Sequence, residues 1–272
     1  MKTRIIVAAV AIPILLLVIF FAPLWAFAIL VGIISAGAAW ELLRCAASEL
    51  HVRFRIYAMV FGMAIAVGSA FFEAHLIMLG GLFGIILICF VEMMFSFKKE
   101  PMKLEALMLV VFAGGIMPIL LSSLVRVGAR EHSSLYLLLP FIAAFTCDSG
   151  AYFAGKFLGK KKIFPHLSPN KTLEGCAGGL LCDVIFMLIY GFILARVGYT
   201  VDYFAFALYG VLGSIACQLG DLAFSAIKRV YGIKDYGTLI PGHGGMLDRF
   251  DSMHFTAPMI EIMVLLLPAI VA

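Results

Sequence analysis

Long apolar runs, separated by short polar breaks, dominate the hydropathy pattern of this chain. The runs lie at residues 5–21, 23–43, 56–72, 74–95, 104–125, 134–158, 173–195, 203–227 and 253–271. A helix that crosses the hydrocarbon core of a bilayer needs about 20 mostly apolar residues. Because the runs are continuous and do not alternate with polar positions, they favour helices over barrel strands. The pattern predicts an all-α, polytopic bundle of about nine transmembrane helices.

The overall composition supports this interpretation. Hydrophobic residues make up 64% of the 272 positions and charged residues 13%, with a mean hydropathy of +1.10. Soluble domains are about half apolar and about a quarter charged, so a soluble enzyme and a disordered or fibrous chain are both excluded. Lys2 and Arg4 precede the first run as they would in a signal peptide, but apolar sequence continues beyond it. We expect that run to remain as the first transmembrane helix.

The basic residues predict the orientation of the bundle. With nine helices, all but three of the 20 lysines and arginines fall on the side of the N-terminus. The exceptions are Arg126, Arg130 and Arg196. The positive-inside rule therefore places the N-terminus in the cytoplasm and the C-terminus outside. The same rule and contact with anionic lipids account for most of the net charge of +4 without any role in chemistry.

Polar residues within the apolar runs are unevenly distributed. Up to about residue 130 the chain offers Glu41 and Glu92, which we interpret as carboxylates at helix ends near the membrane interface, with a functional role as the open alternative. Beyond that point, charged and polar residues cluster with glycines. We therefore predict two parts of one continuous bundle: scaffold helices over 1–130, and a catalytic half over 131–272 that carries the polar cytoplasmic loops.

Two clusters in the second half are candidate binding sites. Asp148 lies within an apolar run, where an ionisable residue is expensive and marks either a functional site or a hydrogen bond between helices. Gly155 and Gly159 follow on the same helix face and permit close helix packing. In the next loop, Lys171 lies beside a helix N-terminus. The lysine and the helix N-terminus together form a natural site for an anion.

The third cluster is the richest in polar residues. One face of the helix that ends near residue 229 carries a polar stripe, formed by Gln218, Asp221, Ser225, Lys228 and Arg229. Such a stripe in a membrane helix must face a polar cavity or other protein. Lys234 follows, and then a glycine-rich loop whose backbone N–H groups can approach a ligand closely. That loop contains His243, Gly244, Gly245, Asp248, Arg249 and Asp251.

The residue types in these clusters indicate phosphate chemistry. Aspartates without paired Cys or His ligands favour a hard cation such as Mg²⁺. Lysine and arginine neutralise phosphate charge and bind its oxygens. A metal with cations around phosphates is what phosphoryl or nucleotidyl transfer requires. From the residues alone, a gating or salt-bridge network in a transporter stays open as the alternative.

The segment from Ser225 to Asp251 resembles the signature of phosphatidate cytidylyltransferases, also called CDP-diacylglycerol synthases. That pattern is Ser-x-x-Lys-Arg, a four-residue gap, Lys-Asp, then Pro-x-His-Gly-Gly-x-x-Asp-Arg-x-Asp, and this chain matches it throughout. Asp148 with its neighbours and the run over 168–175 are also similar to the family. Family members more often have Lys at the position of Asn170, a departure that concerns local loop contacts.

The resemblance implies a nucleotidyltransferase that converts CTP and phosphatidic acid to CDP-diacylglycerol and pyrophosphate, with Mg²⁺ as cofactor. We assign the metal to Asp221 and Asp248, with Asp251 as a third ligand, and catalysis to Asp221, Asp248, Lys228 and Arg229. We assign substrate binding to Asp148, Lys171, Ser225, Lys234, His243, Gly244, Gly245 and Arg249. The resemblance further implies a bacterial-type plasma membrane protein with its site facing the cytoplasm, no nucleic-acid partner, and compatibility with a homodimer.

Two rival functions remain from the sequence. A CTP-dependent polyprenol kinase also joins a membrane lipid to CTP, but it would release CDP in place of pyrophosphate. A secondary transporter would use Asp148 and Asp221 as ion sites. It would need neither Mg²⁺ nor lipid turnover, and it would leave the glycine-rich loop without a purpose.

Overall fold

The computed structural model describes residues 13–97, 103–238 and 244–271, and these are helical except for turns, loops and one short antiparallel ladder. The helical segments are α1 (13–21), α2 (Leu24–Ala46), α3 (Val52–Gly68), α4 (Ala74–Ser96), α5 (Leu104–Val111), a π-helical turn (Phe112–Ile116), α6 (Met117–Leu121), α7 (Ser123–Gly128), α8 (Ser133–Leu158), α9 (Leu173–Val197), α10 (Tyr203–Val230), α11 (Leu247–Phe250) and α12 (Met253–Leu266). In the ladder, β1 (Thr200–Val201) pairs with β2 (Ile270–Val271). Within the described ranges, helix is present at each of the nine predicted runs.

Six helical segments of the described residues have the length and apolar character of a membrane-crossing helix. They are Leu24–Ala46, Ala74–Ser96, Leu104–Gly128, Ser133–Leu158, Leu173–Val197 and Tyr203–Val230. The prediction of an integral membrane protein is therefore confirmed. The orientation of the termini stays a prediction, because helix length and hydropathy do not distinguish the two sides of a membrane.

Three predicted spans differ from the helices that form. α3 ends at Gly68, before the predicted limit of 72, and at 17 residues it is short for a span. α12 stops at Leu266, two residues before Pro268, whose ring and missing N–H disfavour a further helical turn, and the chain then pairs as β2. The first run, 5–21, lies largely outside the described residues, although its part over 13–21 is helical.

The first compact unit consists of residues 1–129 and 231–250. In this unit α3 packs against α2 and against the π-helical turn, where a Cβ added at Gly114 would lie 2.5 Å from the Cα of Ala58. The short helix α11 packs on α2. A segment from late in the sequence therefore belongs to the fold of the N-terminal helices. The division into a scaffold and a catalytic half is a functional one, and it stays a prediction.

The second compact unit consists of residues 130–230 and 251–272. Its helices α8 and α9 pack closely because small residues face each other; α10 packs against both of them, and α12 packs against α8 and α10. A Cβ added at Gly178 would overlap the Cβ of Ala154, and one at Gly155 would lie 3.3 Å from the Oγ1 of Thr172. The predicted role of Gly155 in close helix packing is therefore confirmed.

We expect Gly178→Ala to destabilise the protein, because the new methyl group would overlap Ala154 on the facing helix. Overpacking of this kind typically lowers the free energy of unfolding by about 1–3 kcal/mol. The matched control is Gly80→Ala on α4, where no atom lies within 4 Å of the added Cβ. Thermal unfolding of the detergent-solubilised variants measures the difference, and equal midpoints would contradict this packing.

Candidate active site

The last turns of α10 carry an ion pair between two of the predicted site residues. Lys171 Nζ lies 2.6 Å from Asp221 Oδ2, and Ser225 Oγ donates to Asp221 Oδ1 at 3.4 Å. The side chains of Lys171 and Asp221 are 20% and 31% exposed. The pair is therefore partly shielded from water but remains open to a ligand. It also joins the loop before α9 to the polar stripe of α10.

The loop over 159–172 holds Lys171 in place through its own backbone. Lys162 and Thr172 form an antiparallel bridge across the loop, and the N–H of Lys171 donates to the carbonyl oxygen of Ser168 at 3.1 Å. Thr172 caps α9, since its Oγ1 accepts the N–H of Gly175 at 3.1 Å. The position of Lys171 thus depends on the folded loop as well as on its ion pair.

A second, more buried pair of opposite charges lies in the same unit. Lys228 Nζ is 3.9 Å from Asp251 Oδ2, and the two side chains are 11% and 13% exposed. Burial, together with the nearby charges of Asp221 and Asp148, raises the pKa of Asp251 to about 7, although Lys228 opposes the rise. Because like charges repel in this setting, an added cation next to Asp221 and Asp251 would stabilise both carboxylates.

Arg229 and Asp148 belong to the same unit. Arg229 is exposed, and its Nε donates to the carbonyl oxygen of Leu167 at 3.3 Å, in the loop that contains Lys171. Asp148 is exposed on α8, and its Oδ1 accepts a long hydrogen bond from Cys217 Sγ at 3.7 Å. The second unit therefore contains these predicted site residues: Asp148, Lys171, Asp221, Ser225, Lys228, Arg229 and Asp251.

The other predicted residues belong to the segment of the first unit that follows α10. Asp248 organises this segment, since its Oδ2 accepts the N–H of Tyr236 at 2.8 Å and the N–H of Gly245 at 3.0 Å. Gly244 has a φ of +86°, a left-handed conformation that favours glycine. The remaining predicted members of this group are the exposed Lys234 and Arg249, and His243, which lies outside the described residues.

Glu41 on α2 contacts this segment, which the sequence did not reveal. Its side chain is buried, its Oε1 accepts the N–H of Met246 at 2.9 Å, and its Oε2 accepts the N–H of Leu247 at 2.9 Å. The carboxylate within an apolar run was a sign of such a role, because a charge in a membrane helix is costly unless it is paired. Glu41 is thus a buried carboxylate with both oxygens engaged, and not one that faces the membrane surface.

The metal prediction involves carboxylates from both units. Among the described residues, no three His, Cys, Asp or Glu side chains form a ready-made metal cluster. Mg²⁺ usually binds through one or two carboxylates, and waters and substrate phosphates fill its other positions. Asp221 and Asp251 both belong to the second unit and offer carboxylate oxygens of the kind that Mg²⁺ takes, and their assignment as ligands stays a prediction. Asp248 belongs to the first unit, and its assignment as a ligand stays a prediction.

The fold and the residues at the end of α10 define a polytopic helical membrane protein in which carboxylates pair with lysines. The chain belongs to the Cytidylyltransferase family, whose family model matches residues 2–267. The resemblance inferred from the segment between Ser225 and Asp251 is therefore confirmed.

Individual relatives carry a more specific name. The chain is similar to the phosphatidate cytidylyltransferases of Staphylococcus haemolyticus and Staphylococcus aureus, each 41% identical over 136 residues, and of Bacillus subtilis, 40% identical over 136 residues. The matched stretch is 50% of this chain and 51%, 51% and 49% of those relatives, respectively. The chain thus spans about half the length of the curated relatives it matches.

Proposed function

We propose that the chain transfers the cytidylyl group of CTP to phosphatidic acid and so forms CDP-diacylglycerol and pyrophosphate. The family supports the nucleotide, and the names of the relatives support the lipid acceptor. The Lys171–Asp221 pair is the observation in this chain that carries the proposal. It offers an ammonium group for phosphate oxygens and, beside it, a carboxylate for a hard cation.

The residues of the second unit suit the charge changes of this reaction. An oxygen of the lipid phosphate attacks the α-phosphorus of CTP, the bond from that phosphorus to the oxygen shared with the β-phosphate breaks, and pyrophosphate leaves. A phosphate monoester is already an anion near pH 7, so its attack needs no general base. Lys171, Lys228 and Arg229 bind phosphate oxygens, reduce the repulsion between the two anionic reactants and keep them aligned.

We assign Mg²⁺ to Asp221 and Asp251, with Asp248 as the ligand predicted from the glycine-rich segment. When bound, the ion supplies positive charge to the triphosphate oxygens. With a substrate phosphate bound, the ammonium group of Lys171 would contact that phosphate in place of Asp221, and the lysine charge would remain paired.

We further propose that the loops that carry these residues face the cytoplasm, where CTP is present. Labelling of single cysteines at 160–170 and at 232–240, in a background without the six native cysteines, tests this orientation. Labelling of both loops by an impermeant reagent from the cytoplasmic side supports it. Labelling of both from the external side only would overturn it.

The activity itself is tested with the purified full chain in nanodiscs, labelled CTP, phosphatidic acid and Mg²⁺. We expect equal amounts of CDP-lipid and pyrophosphate, and no product when any one component is omitted. Release of CDP with a phosphorylated lipid would indicate a lipid kinase. Ion movement without nucleotide turnover would indicate a transporter.

Arg229→Lys should lower turnover although it preserves charge and topology. Arginine binds phosphate oxygens through two parallel N–H bonds, whereas lysine supplies a point charge, and loss of that geometry costs about 10-fold or more. The matched control is Arg55→Lys in the first unit, whose guanidinium donates to the carbonyl oxygen of Ser48 at 2.9 Å. Rates are compared at matched expression. Wild-type rates for both variants would leave Arg229 as a determinant of topology only.

A further inference from the structure

We propose that Glu41 is a positioning residue of the nucleotide site, which holds the segment from Gly244 to Asp248 in its binding conformation. The inference rests on the proposed function, because it concerns the same reaction. Glu41 would act through the backbone of this segment and not through contact with the reacting atoms. It would thereby give the N-terminal helices a part in catalysis beyond that of a scaffold.

The contacts of Glu41 fix both the place and the direction of the segment. The two carboxylate oxygens accept consecutive backbone N–H groups, those of Met246 and Leu247, each at 2.9 Å. Hydrogen bonds to an ionised carboxylate are stronger than those between neutral groups. Because Glu41 is only 5% exposed, water cannot readily replace either contact. Two such bonds, from adjacent peptide groups, fix both the position and the orientation of the segment relative to α2, which a single bond would not do.

The segment is also shaped to fit this carboxylate. Gly237 and Gly245 lie against it, and a Cβ at either position would overlap its oxygens. Residues about one turn further along α2 contact the chain before this segment, at Tyr236. Arg44 Nη2 and Cys45 Sγ both donate to the carbonyl oxygen of Tyr236, at 3.3 Å and 3.1 Å. One stretch of α2 therefore contacts both Tyr236 and the segment from Gly244 to Asp248.

Backbone N–H groups next to those contacts hold Asp248, a predicted catalytic residue. Asp248 Oδ2 accepts the N–H groups of Tyr236 and Gly245. The carbonyl oxygen of Tyr236 is bonded to α2, and Gly245 directly precedes Met246, whose N–H is bonded to Glu41. A shift of the peptides at Met246 and Leu247 would therefore move Asp248 and the left-handed turn at Gly244. This connection links a buried side chain on α2 to the part of the chain assigned to the triphosphate.

A purely structural role for Glu41 is the competing explanation, and Glu92 provides its matched control. Glu92 is a shielded carboxylate on α4 in the same unit, where its Oε2 lies 2.8 Å from Arg53 Nη2 and its Oε1 accepts the Tyr57 hydroxyl at 2.9 Å. These partners join α4 to α3 and have no bond to the glycine-rich segment. Loss of the Glu92 carboxylate thus shows how much a purely structural ion pair in this unit contributes to the stability and the kinetics of the protein.

The experiment compares Glu41→Gln with Glu92→Gln in the full chain. Glutamine keeps the shape of Glu41 but turns an amide NH₂ toward one of the two N–H donors. We expect kcat/KM for CTP to fall about 10-fold in Glu41→Gln, as for loss of one hydrogen bond to a charged group, while KM for phosphatidic acid is unchanged. Glu92→Gln should leave both constants near wild type. A lower unfolding midpoint with wild-type kinetics in Glu41→Gln would overturn the proposal.

A readout without substrate turnover separates this inference from the proposed function. Lys234 and Arg249 are exposed trypsin sites that flank the segment. Cleavage at both should be faster in Glu41→Gln than in Glu92→Gln, and CTP should slow it less in Glu41→Gln than in wild type. Equal cleavage rates in the two variants would overturn the positioning role. An inactive wild-type chain with this cleavage difference would overturn the proposed function alone.

A second variant covers the case in which Glu41→Gln does not fold. Gly245→Ala retains the carboxylate but places a methyl group against it. Its kcat/KM for CTP should also fall about 10-fold, and the two changes combined should cost less than the product of their separate losses, as expected for residues in contact. Wild-type kinetics in a folded Gly245→Ala variant would overturn the proposal. Failure of both variants to fold would assign Glu41 to folding and would overturn it as well.

Discussion

Asp221→Asn is expected to reduce turnover about a thousandfold, which corresponds to roughly 4 kcal/mol of lost transition-state stabilisation. Asparagine keeps the shape of the side chain but removes the charge that a hard cation needs. It also removes the ion pair that joins Asp221 to Lys171 at 2.6 Å. Measurement of kcat at saturating CTP over a range of Mg²⁺ concentrations gives the effect.

Asp202→Asn is the matched control for this experiment. Asp202 precedes α10, and its Oδ1 accepts the N–H groups of Phe204 and Ala205 at 2.8 Å and 3.2 Å. Asparagine caps a helix about as well as aspartate, so turnover and the unfolding midpoint should stay near wild type. If Asp221→Asn retained most of its activity at limiting Mg²⁺, the assignment of Asp221 as a metal ligand would be withdrawn.

Lys171→Gln is expected to lower kcat/KM about a hundredfold, because a charged hydrogen bond to phosphate is worth roughly 1.5–3 kcal/mol. Glutamine retains a donor but not the charge, and it leaves the partly shielded Asp221 without its ion-pair partner. Lys171→Arg should recover part of the activity, since it restores the charge with a different geometry. Initial rates at subsaturating CTP and phosphatidic acid measure both variants.

The control lysine for Lys171 lies in the same loop. Lys162 is exposed, and its Nζ donates to the carbonyl oxygen of Pro169. Lys162→Gln removes the same formal charge from the loop without touching Asp221, so its kinetics should match those of wild type. Equal losses in Lys162→Gln and Lys171→Gln would show that the loop acts through its total charge and not through a specific contact.

The positions of the long helices could be predicted because a membrane requires long apolar runs. α4, α8, α9 and α10 each begin and end within three residues of their predicted limits. The apolar pattern does not predict where the helix within a run departs from regular α-helical geometry. The span expected over 104–125 contains a π-helical turn at Gly114 and Gly115, close to Pro118, which lacks the N–H that a regular helix uses. Apolar composition alone does not reveal such an interruption.

The candidate site could be predicted only as far as its residues share a helix or a short motif. Asp221, Ser225 and Lys228 repeat at helical spacing, so the sequence predicts that they share one face of a helix. All three lie on α10, at the spacing that brings them to one face. Glu41 could not be predicted in the same way, because its partners are backbone N–H groups 205 and 206 positions away. Such a contact leaves no periodic pattern in the sequence. Every residue except proline has a backbone N–H group, so the identity of the side chain does not reveal which N–H is bonded.

The long separation between Glu41 and its partners has a consequence for the synthesis of the protein. Ribosomes add about 5–20 residues per second, so Glu41 is made roughly 10–40 s before Met246, which follows 205 positions later. Until then its carboxylate lacks both of these hydrogen bonds, and a charge without such partners is costly inside a bilayer. The N-terminal unit is therefore completed only when nearly the whole chain has been translated.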